Sequence, residues 1–293
     1  MNPVPARFAL LVPALVLGPA ACRSSAPHAE GAPKPSATAS AAPPELKALA
    51  PELVQAAVNP AGEKPYAGPI GSVRGTVRVS GPPAPDLPVL ARIPAGTCED
   101  ARAFYGKLFR EGPGRELGDV LVAVTGYQGY LPAKSDVRRV VARGCAFESR
   151  TIAMVFGQRI EVANKGGETF IPRLVGAKQA ALQVAVPGGD TVKLFPMRVG
   201  EYRLEDQTHD YAVADVFVLK YPTAVVTGLD GKFQVDGIPA GEVTVSAYLP
   251  ATKATVSRKV TVVAGEEATV DITLPYAPEA PVGGAPSAAP SSR

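Results

Sequence analysis

Short runs of alternating apolar and polar residues recur through the middle of the chain, and Gly, Pro or Asp separates them. Alternation with a period of two predicts half-buried β-strands, and the separating residues predict turns. The runs that show this pattern best are 73–79, 120–124, 160–162, 182–184, 202–204 and 216–218. Strands this frequent are typical of sandwiches and barrels, so the sequence predicts an all-β fold.

The last third of the chain carries the most regular strand pattern. Three β-rich runs follow one another there, at 224–227, 232–236 and 242–248. An Asp-Gly pair between two such runs favours a tight hairpin turn, and Asp230-Gly231 lies between the first two. Two further runs, 256–263 and 268–274, are predicted to complete this set of strands.

Two segments favour helix instead. Residues 98–109 follow Thr97, and Thr97 and Asp100 have the spacing of a capping box. The second half of this segment is equally compatible with a strand, so helix and strand both remain open. In 45–58 the apolar residues recur at roughly helical spacing, and Pro51 is suited to the first turn of a short helix.

The two ends of the chain have compositions that do not favour a packed core. Residues 22–68 are dominated by Ala, Pro, Ser and Lys, and they predict a tether. Residues 276–293 are again of low complexity and predict a disordered tail.

The N-terminus predicts export and a lipid anchor. The apolar run 8–17 and a few small residues lead to Cys22, and the run is too short to span a membrane as a helix. This arrangement resembles a bacterial lipoprotein signal peptide, which implies cleavage after residue 21 and a lipid on Cys22. Pro19 stands where such signals usually have Leu, so an ordinary secretory signal is the alternative. In this class an Asp after the cysteine favours retention in the inner membrane, and this chain has Arg23 there. The protein is therefore predicted to lie at the outer membrane, where it faces either the periplasm or the exterior.

Charge and cysteine content restrict the partners and the compartment. The 30 basic and 27 acidic residues are interspersed, which argues against a nucleic-acid surface. With Cys22 assigned to the lipid, Cys98 and Cys145 are an even pair in an oxidising compartment, and they predict a disulfide. Two buried free thiols are the alternative. No later segment is apolar enough for a transmembrane helix, so membrane contact is expected through the N-terminal lipid.

The last third of the chain resembles carboxypeptidase regulatory-like modules, which are transthyretin-related β-sandwiches. In that family a Thr precedes an Asp-Gly turn, a Phe strand and a Pro-x-Gly turn that leads into a Val strand. The matching residues, in order, are Thr227, Asp230, Gly231, Phe233, Pro239, Gly241 and Val243. The resemblance implies a small β-sandwich over 222–275, with Phe233 and Tyr248 in its core, and by itself it implies no chemistry.

The part before it resembles the cupredoxin-like domain of exported bacterial proteins that run directly into such a module. The resemblance lies in Cys145-Ala-Phe, in Gly157-Gln-Arg-Ile-Glu-Val-Ala-Asn164 and in the Lys165-Gly-Gly-Glu-Thr-Phe that follows. It implies a Greek-key β-sandwich over 69–221. Residues 73–77 also resemble the first strand of a regulatory-like module, so that strand belongs to the first sandwich or is shared with the second. Whether the two sandwiches are independent domains stays open.

The copper ligands that this family implies are not in the sequence. Where the family has a His-Asn pair, this chain has Phe170-Ile171, and where it has a Cys, a His and a Met, this chain has Asp206, His209 and Ala212. A type I copper site needs two imidazoles and a thiolate, so no cofactor is expected. His209 is a weak metal candidate, and a solvated or hydrogen-bonded side chain is the alternative.

Catalytic and ligand-binding patterns are sparse. The chain has no Gly-x-Ser-x-Gly elbow, and its other histidine, His28, lies in the tether, although paired carboxylates among the 27 acidic residues stay open. Tyr127 and Tyr130 lie close together in a predicted loop and form a candidate surface for stacking a sugar ring. Tyrosines that close the end of a sandwich are the alternative.

Together these features predict a non-catalytic lipoprotein of the cell envelope that binds or scaffolds another molecule. Its expected partners are the membrane, through the lipid, and an envelope protein or a glycan. The alternative functions are a carbohydrate-binding module and a residual metal-binding or electron-transfer protein. The ligand and the oligomeric state stay open.

Overall fold

The computed structural model describes residues 48–178 and 181–278 of the 293-residue chain. Its helices are α1 Pro51–Val58 and α2 Glu99–Tyr105, and a short 3-10 helix covers Pro88–Arg92. The strands, in chain order, are β1 Ile70–Ser80, β2 Leu121–Thr125, β3 Val137–Arg143, β4 Ala146–Phe147, β5 Thr151–Val155, β6 Arg159–Asn164, β7 Pro172–Val175, β8 Val192–Leu194, β9 Gly200–Asp206, β10 Val213–Leu219, β11 Ala224–Val226, β12 Lys232–Pro239, β13 Gly241–Leu249, β14 Ala254–Val262, β15 Glu267–Thr269 and β16 Ile272–Pro275. The predicted all-β fold class is confirmed.

Eight consecutive strands, β3–β10, form a Greek-key sandwich that is called the inserted sandwich below. One sheet has the strand order β4-β3-β6-β8 and the other has the order β5-β10-β9-β7. Each sheet contains one parallel pair, β3 with β6 and β5 with β10. Large apolar side chains such as Phe147, Ile160 and Leu204 fill the space between the sheets because alternate residues of each strand point there.

The remaining strands form a second sandwich, called the split sandwich because β1 and β2 precede the inserted sandwich and β11–β16 follow it. In one sheet β1 pairs with β12, β15 and β16. In the other sheet the order is β11-β2-β13-β14. Val73, Val77 and Phe233 are buried in its core. The first strand of the chain therefore pairs with strands that lie after residue 222, across the whole length of the inserted sandwich.

The predicted hairpin at Asp230-Gly231 is wrong. β11 pairs with β2 in one sheet and β12 pairs with β1 in the other, so this turn carries the chain between the two sheets. The turn itself forms, since the Asp230 carboxylate accepts a hydrogen bond from the Lys232 N–H at 3.1 Å and Gly231 has a φ of 65°. Turn chemistry is local, whereas the partner of each strand is selected by packing around the core.

Two other predicted strands differ from the structure. Residues 182–184 form no strand. Leu182 and Val184 are exposed, so the alternating pattern does not correspond to a buried face of a sheet here. The run 268–274 divides into β15 and β16 around Val270. The break coincides with Gly75 of β1. The backbone at Val270 passes so close to this glycine that a Cβ atom there would overlap the Val270 carbonyl oxygen.

The two sandwiches meet at a small apolar contact and a buried ion pair. Leu121, Ala153 and Phe217 pack together, and the Phe217 ring contacts the Tyr248 ring edge-on, with centroids 5.8 Å apart. This contact joins β5 and β10 of the inserted sandwich to β2 and β13 of the split sandwich.

The ion pair at the junction joins Arg110 to Asp119. The Arg110 guanidinium donates two hydrogen bonds to the Asp119 carboxylate, at 2.6 and 2.7 Å, and both side chains are at most 10% exposed. Asp119 Oδ1 also accepts the backbone N–H of Arg150 at 3.0 Å, and the Asp119 carbonyl accepts the hydroxyl of Thr151 at 2.7 Å. The Asp119 N–H in turn donates to the carbonyl of Thr227 in the split sandwich at 3.0 Å. One aspartate therefore holds backbone groups of both sandwiches.

The short helix α2 is tied to the inserted sandwich by a disulfide. Cys98 and Cys145 are bonded with their Cα atoms 5.3 Å apart, so the pairing predicted from cysteine parity is present in the structure. Residues 99–105 are helical, which answers the choice between helix and strand. The predicted capping box is wrong, because Cys98 occupies the N-cap and its side chain makes no capping hydrogen bond.

The predicted helix beginning at Pro51 is confirmed as α1, although it lies within the stretch expected to be a tether. Val54 and Val58 of α1 pack against the core of the inserted sandwich. Val54 approaches Gly157 so closely that a Cβ atom there would overlap it.

No helix within 48–178 or 181–278 is long and apolar enough to cross a membrane. The predicted signal peptide, Cys22 and most of the C-terminal tail lie outside the described residues.

Candidate functional site

The candidate site is centred on Asp206, the buried aspartate that the sequence resemblance aligns with a copper-binding cysteine of cupredoxin-like domains. Asp206 ends β9, and its carboxylate accepts hydrogen bonds from the Ile171 N–H and the Thr208 hydroxyl. It also accepts the backbone N–H of His209 at 2.9 Å and lies 2.7 Å from His209 Nδ1. The Asp206 side chain is fully buried. These contacts close the turn between β9 and β10 around a single carboxylate.

The hydrogen bonds decide the ionisation of Asp206. Burial alone would raise the pKa of this carboxyl, but the bonds from His209, Thr208 and Ile171 favour the charged form more strongly. The pKa of Asp206 is therefore lowered from its ordinary value. A carboxylate that is already satisfied by four donors is a structural anchor of the turn rather than a free metal ligand.

The residues around His209 do not fit a type I copper ion. The imidazole lies between Phe170 and Tyr211, with ring centroids 5.0 and 5.8 Å from its own, and its Nδ1 atom is engaged by Asp206. Ala212, which the sequence resemblance aligns with the axial methionine, is buried, and its side chain has no donor atom. Such a site requires a second imidazole and a thiolate, and the described residues contain no group of three or more potential metal ligands.

Tyr127 and Tyr130, the predicted stacking pair, lie on one small cleft together with Tyr221. The cleft has a volume of about 280 Å³, and Lys220 and Glu63 also line it. Tyr127 is partly committed to the fold, because its hydroxyl is 3.1 Å from the hydroxyl of Thr223 and its ring packs on the core of the split sandwich. The backbone carbonyl of Tyr130 accepts a hydrogen bond from the Tyr66 N–H at 2.8 Å.

A larger cavity lies between the two sandwiches and was not predicted from the sequence. This groove has a volume of about 590 Å³. One wall comes from β3 and β5 of the inserted sandwich, and the other from β11 and β12 of the split sandwich. Its apolar lining includes Met154, Leu219, Val225 and Val235, and its charged lining consists of Lys134, Arg138 and Asp236.

The groove is braced at the edge where β3 begins. The side chain of Gln158 accepts the Val155 N–H at 2.7 Å and donates to the Ser135 carbonyl at 2.8 Å, which ties β5 to the start of β3. A second cavity of about 400 Å³ lies beneath α1 and shares Leu131, Pro132 and Gln158 with the groove. No local sequence signal identifies this groove, because its two walls come from segments that are about 70 to 100 residues apart in the chain.

No protein-family model and no curated protein sequence matches the chain. Among solved structures, a reduced variant of amicyanin is 14% identical over 30% of this chain and 86% of its own length, with a TM-score of 0.26. A purple cupredoxin from Nitrosopumilus maritimus is 12% identical over 28% of this chain and 98% of its own, with a TM-score of 0.25. A copper-containing nitrite reductase from Thermus scotoductus SA-01 is 14% identical over 32% of this chain and 25% of its own, with a TM-score of 0.25. The similarity concerns about a third of the chain, and nothing about copper follows from it for this protein.

Proposed function

We propose that the protein is a non-catalytic binding module of the bacterial cell envelope that holds a small ligand in the groove between its two sandwiches. The observation that carries this proposal is the groove itself, whose volume of about 590 Å³ lies within the usual range for ligand sites. Its lining is mainly apolar with a few polar groups, which is the composition that binds and orients small molecules. The lipid on Cys22 would hold this module at the outer membrane, with residues 23–50, between that cysteine and α1, as the connection.

The groove offers binding surface rather than catalytic groups. The described residues that line it include no histidine and no cysteine, and Asp236 is their one carboxylate. Asp236 accepts a hydrogen bond from the side chain of Gln234 at 3.0 Å on the same strand. Nucleophilic catalysis needs a nucleophile within hydrogen-bond reach of a base, and this lining supplies no such pair.

Filling the groove tests this proposal. Gln234 is an exposed residue of β12 that lines the groove, so Gln234→Trp places a large ring inside it. Thr273→Trp adds the same ring to an exposed position of β16 outside the groove and serves as the control. Melting temperatures are measured with oligosaccharides, short peptides and acyl amphiphiles.

At least one ligand class is expected to raise the melting temperature of the wild type and of Thr273→Trp, because a ligand at about 100 times its dissociation constant stabilises by about 2.7 kcal/mol. Gln234→Trp should show no such increase. An equal increase in Gln234→Trp, or none in the wild type with every class, contradicts binding in the groove.

Carbohydrate binding is the second candidate, and the cleft with Tyr127, Tyr130 and Tyr221 favours it. Three tyrosines around one cleft offer apolar faces on which a sugar ring stacks, with hydroxyls at their edges. Binding on a glycan array that is lost in Tyr130→Ala supports this function. Tyr130→Phe, which keeps the ring and removes only the hydroxyl, separates loss of stacking from loss of a hydrogen bond.

A further inference from the structure

Arg138 is an arginine on the inner face of a sandwich strand. In β3 the residues Val140 and Ala142 are buried in the core of the inserted sandwich, and Arg138 shares their side of the strand because side chains alternate. Its neighbour Arg139 points the opposite way and is exposed. Arg138 lies in register with Ile160 of β6, which is fully buried, so the guanidinium lies at the end of the sandwich where the groove begins.

The Arg138 side chain has no partner among the described residues. Its Nε–H is buried without a hydrogen-bond acceptor, and no described carboxylate forms an ion pair with it. Other partly buried arginines of the chain differ in this respect. Arg159 pairs with Glu161 at 2.8 Å, and Arg150 donates to the carbonyls of Phe104, Lys107 and Leu108. Burial also lowers the pKa of Arg138, and no nearby carboxylate offsets that effect.

An unpaired cation at a partly buried position destabilises a fold, and such groups persist where they meet a ligand. The charged residues that line the groove are Lys134, Arg138 and Asp236, which sum to a single positive charge. One net positive charge is complementary to one negative charge. Leu219 and Val225 line the same groove and are partly exposed, so they offer an apolar surface on which a hydrocarbon chain can be buried.

We propose that the ligand of the groove is an amphipathic monocarboxylate, with its carboxylate bound by Arg138 and its hydrocarbon chain on the apolar lining. This inference rests on the proposed function, since it requires the groove to be the binding site. A planar guanidinium matches the two oxygens of a carboxylate, and no carboxylate of the described residues occupies that of Arg138. One amphipathic molecule would thereby bind both the unpaired guanidinium and the apolar surface.

Titration calorimetry at pH 7.5 compares octanoate, 1-octanol and octyl phosphate, which share one eight-carbon chain. The protein is produced without the predicted signal peptide, residues 1–21, and with Cys22→Ala, so that neither lipid nor detergent enters the measurement. Octanoate is expected to bind at least about tenfold more tightly than 1-octanol, as for a charge-assisted hydrogen bond. Arg138→Gln should lose about that factor for octanoate, whereas Arg139→Gln, one residue along on the opposite face, should bind as the wild type does.

The stability of the ligand-free variants separates a binding role from a structural one. Without ligand, Arg138→Gln should melt at the same temperature as the wild type or higher, because it removes an unpaired buried charge. A lower melting temperature would show that Arg138 supports the fold and would overturn the inference.

Each remaining result of the calorimetry has a distinct meaning. Equal binding of octanoate and 1-octanol, abolished by Gln234→Trp, overturns the anion assignment and leaves the groove as a ligand site. Tighter binding of octyl phosphate than of octanoate overturns the choice of a carboxylate head group and assigns a phosphate head group to the ligand. Failure of all three probes in the wild type overturns the inference, and the ligand panel with Gln234→Trp then decides the proposed function separately.

Discussion

Asp119→Ala is expected to be among the most destabilising single substitutions in the described part of the chain. It removes the carboxylate that receives two hydrogen bonds from Arg110, at 2.6 and 2.7 Å, and leaves a guanidinium that is 10% exposed without its partner. Breaking a buried pair in this way costs about 3–5 kcal/mol. Asp119 also has a φ of 63°, and alanine in that left-handed conformation adds about 1–2 kcal/mol.

The sum is a loss of about 4–7 kcal/mol in the free energy of unfolding, or about 8–28 °C in melting temperature at about 2–4 °C per kcal/mol. Urea denaturation followed by circular dichroism measures it. Asp119→Asn keeps the shape and the tolerance of positive φ and loses only the charge, so it should cost about 2–3 kcal/mol. Asp210→Ala breaks the exposed pair with Arg92 and serves as the control, with a change of about 1 kcal/mol or less.

A double variant separates the two causes. Arg110 lies over the ring of Phe104, 4.0 Å from its centroid, so Arg110→Met keeps an apolar contact there while it removes the cation. Arg110→Met combined with Asp119→Asn should be more stable than Asp119→Asn alone, because no unpaired charge stays buried. A loss below about 1 kcal/mol in Asp119→Ala would refute the assignment of the junction to this ion pair.

Three other predictions concern single features. The Cys98–Cys145 disulfide closes a separation of 47 residues, and its reduction should lower the free energy of unfolding by about 4 kcal/mol in the chain-entropy model, and with it the melting temperature. Full labelling of both thiols in unreduced, denatured protein would show that the disulfide does not form. Hydrogen bonds lower the pKa of Asp206 in the folded state, so its contribution to stability is complete above the ordinary carboxyl pKa of about 4 and is lost as the pH falls further. The urea midpoint of the wild type should therefore decline more steeply between pH 5 and pH 2 than that of Asp206→Asn. Parallel declines in the two proteins would disprove this role of Asp206. Cys22→Ala should block acylation and processing of the N-terminus, and a variant that mass spectrometry of the intact protein shows still to be lipidated would end the lipoprotein interpretation.

The positions of several strands with one buried face followed from local pattern, whereas β3, β7 and β8, which also have one buried face, were not predicted. The alternation at 73–79 and 160–162 predicts strands that the structure contains as parts of β1 and β6. The pattern failed for β5, where all five residues are buried and no alternation exists. A strand covered on both faces has a continuous apolar run and cannot be recognised by a period of two.

The local chemistry of the site was also readable from residue identity. The resemblance to cupredoxin-like domains aligns Phe170, Asp206 and Ala212 with copper ligands, and in the structure Asp206 is the hydrogen-bond acceptor at the centre of a turn. What residue identity did not disclose is that four donors converge on this carboxylate, because one of them, the Ile171 N–H, comes from 35 residues earlier.

Tertiary structure alone decided which strands pair and which side chains share a cavity. Asp230-Gly231 has the composition of a hairpin turn, yet β11 and β12 enter different sheets because β1 and β2, more than a hundred residues earlier, occupy the positions beside them. In the same way, Arg138 is one of three arginines in β3, and the local sequence does not distinguish it from the other two. It becomes an unpaired cation facing a groove only when β12 of the split sandwich forms the opposite wall. Propensity and periodicity act over a few residues, whereas pairing and cavities depend on how distant segments bury their apolar faces together.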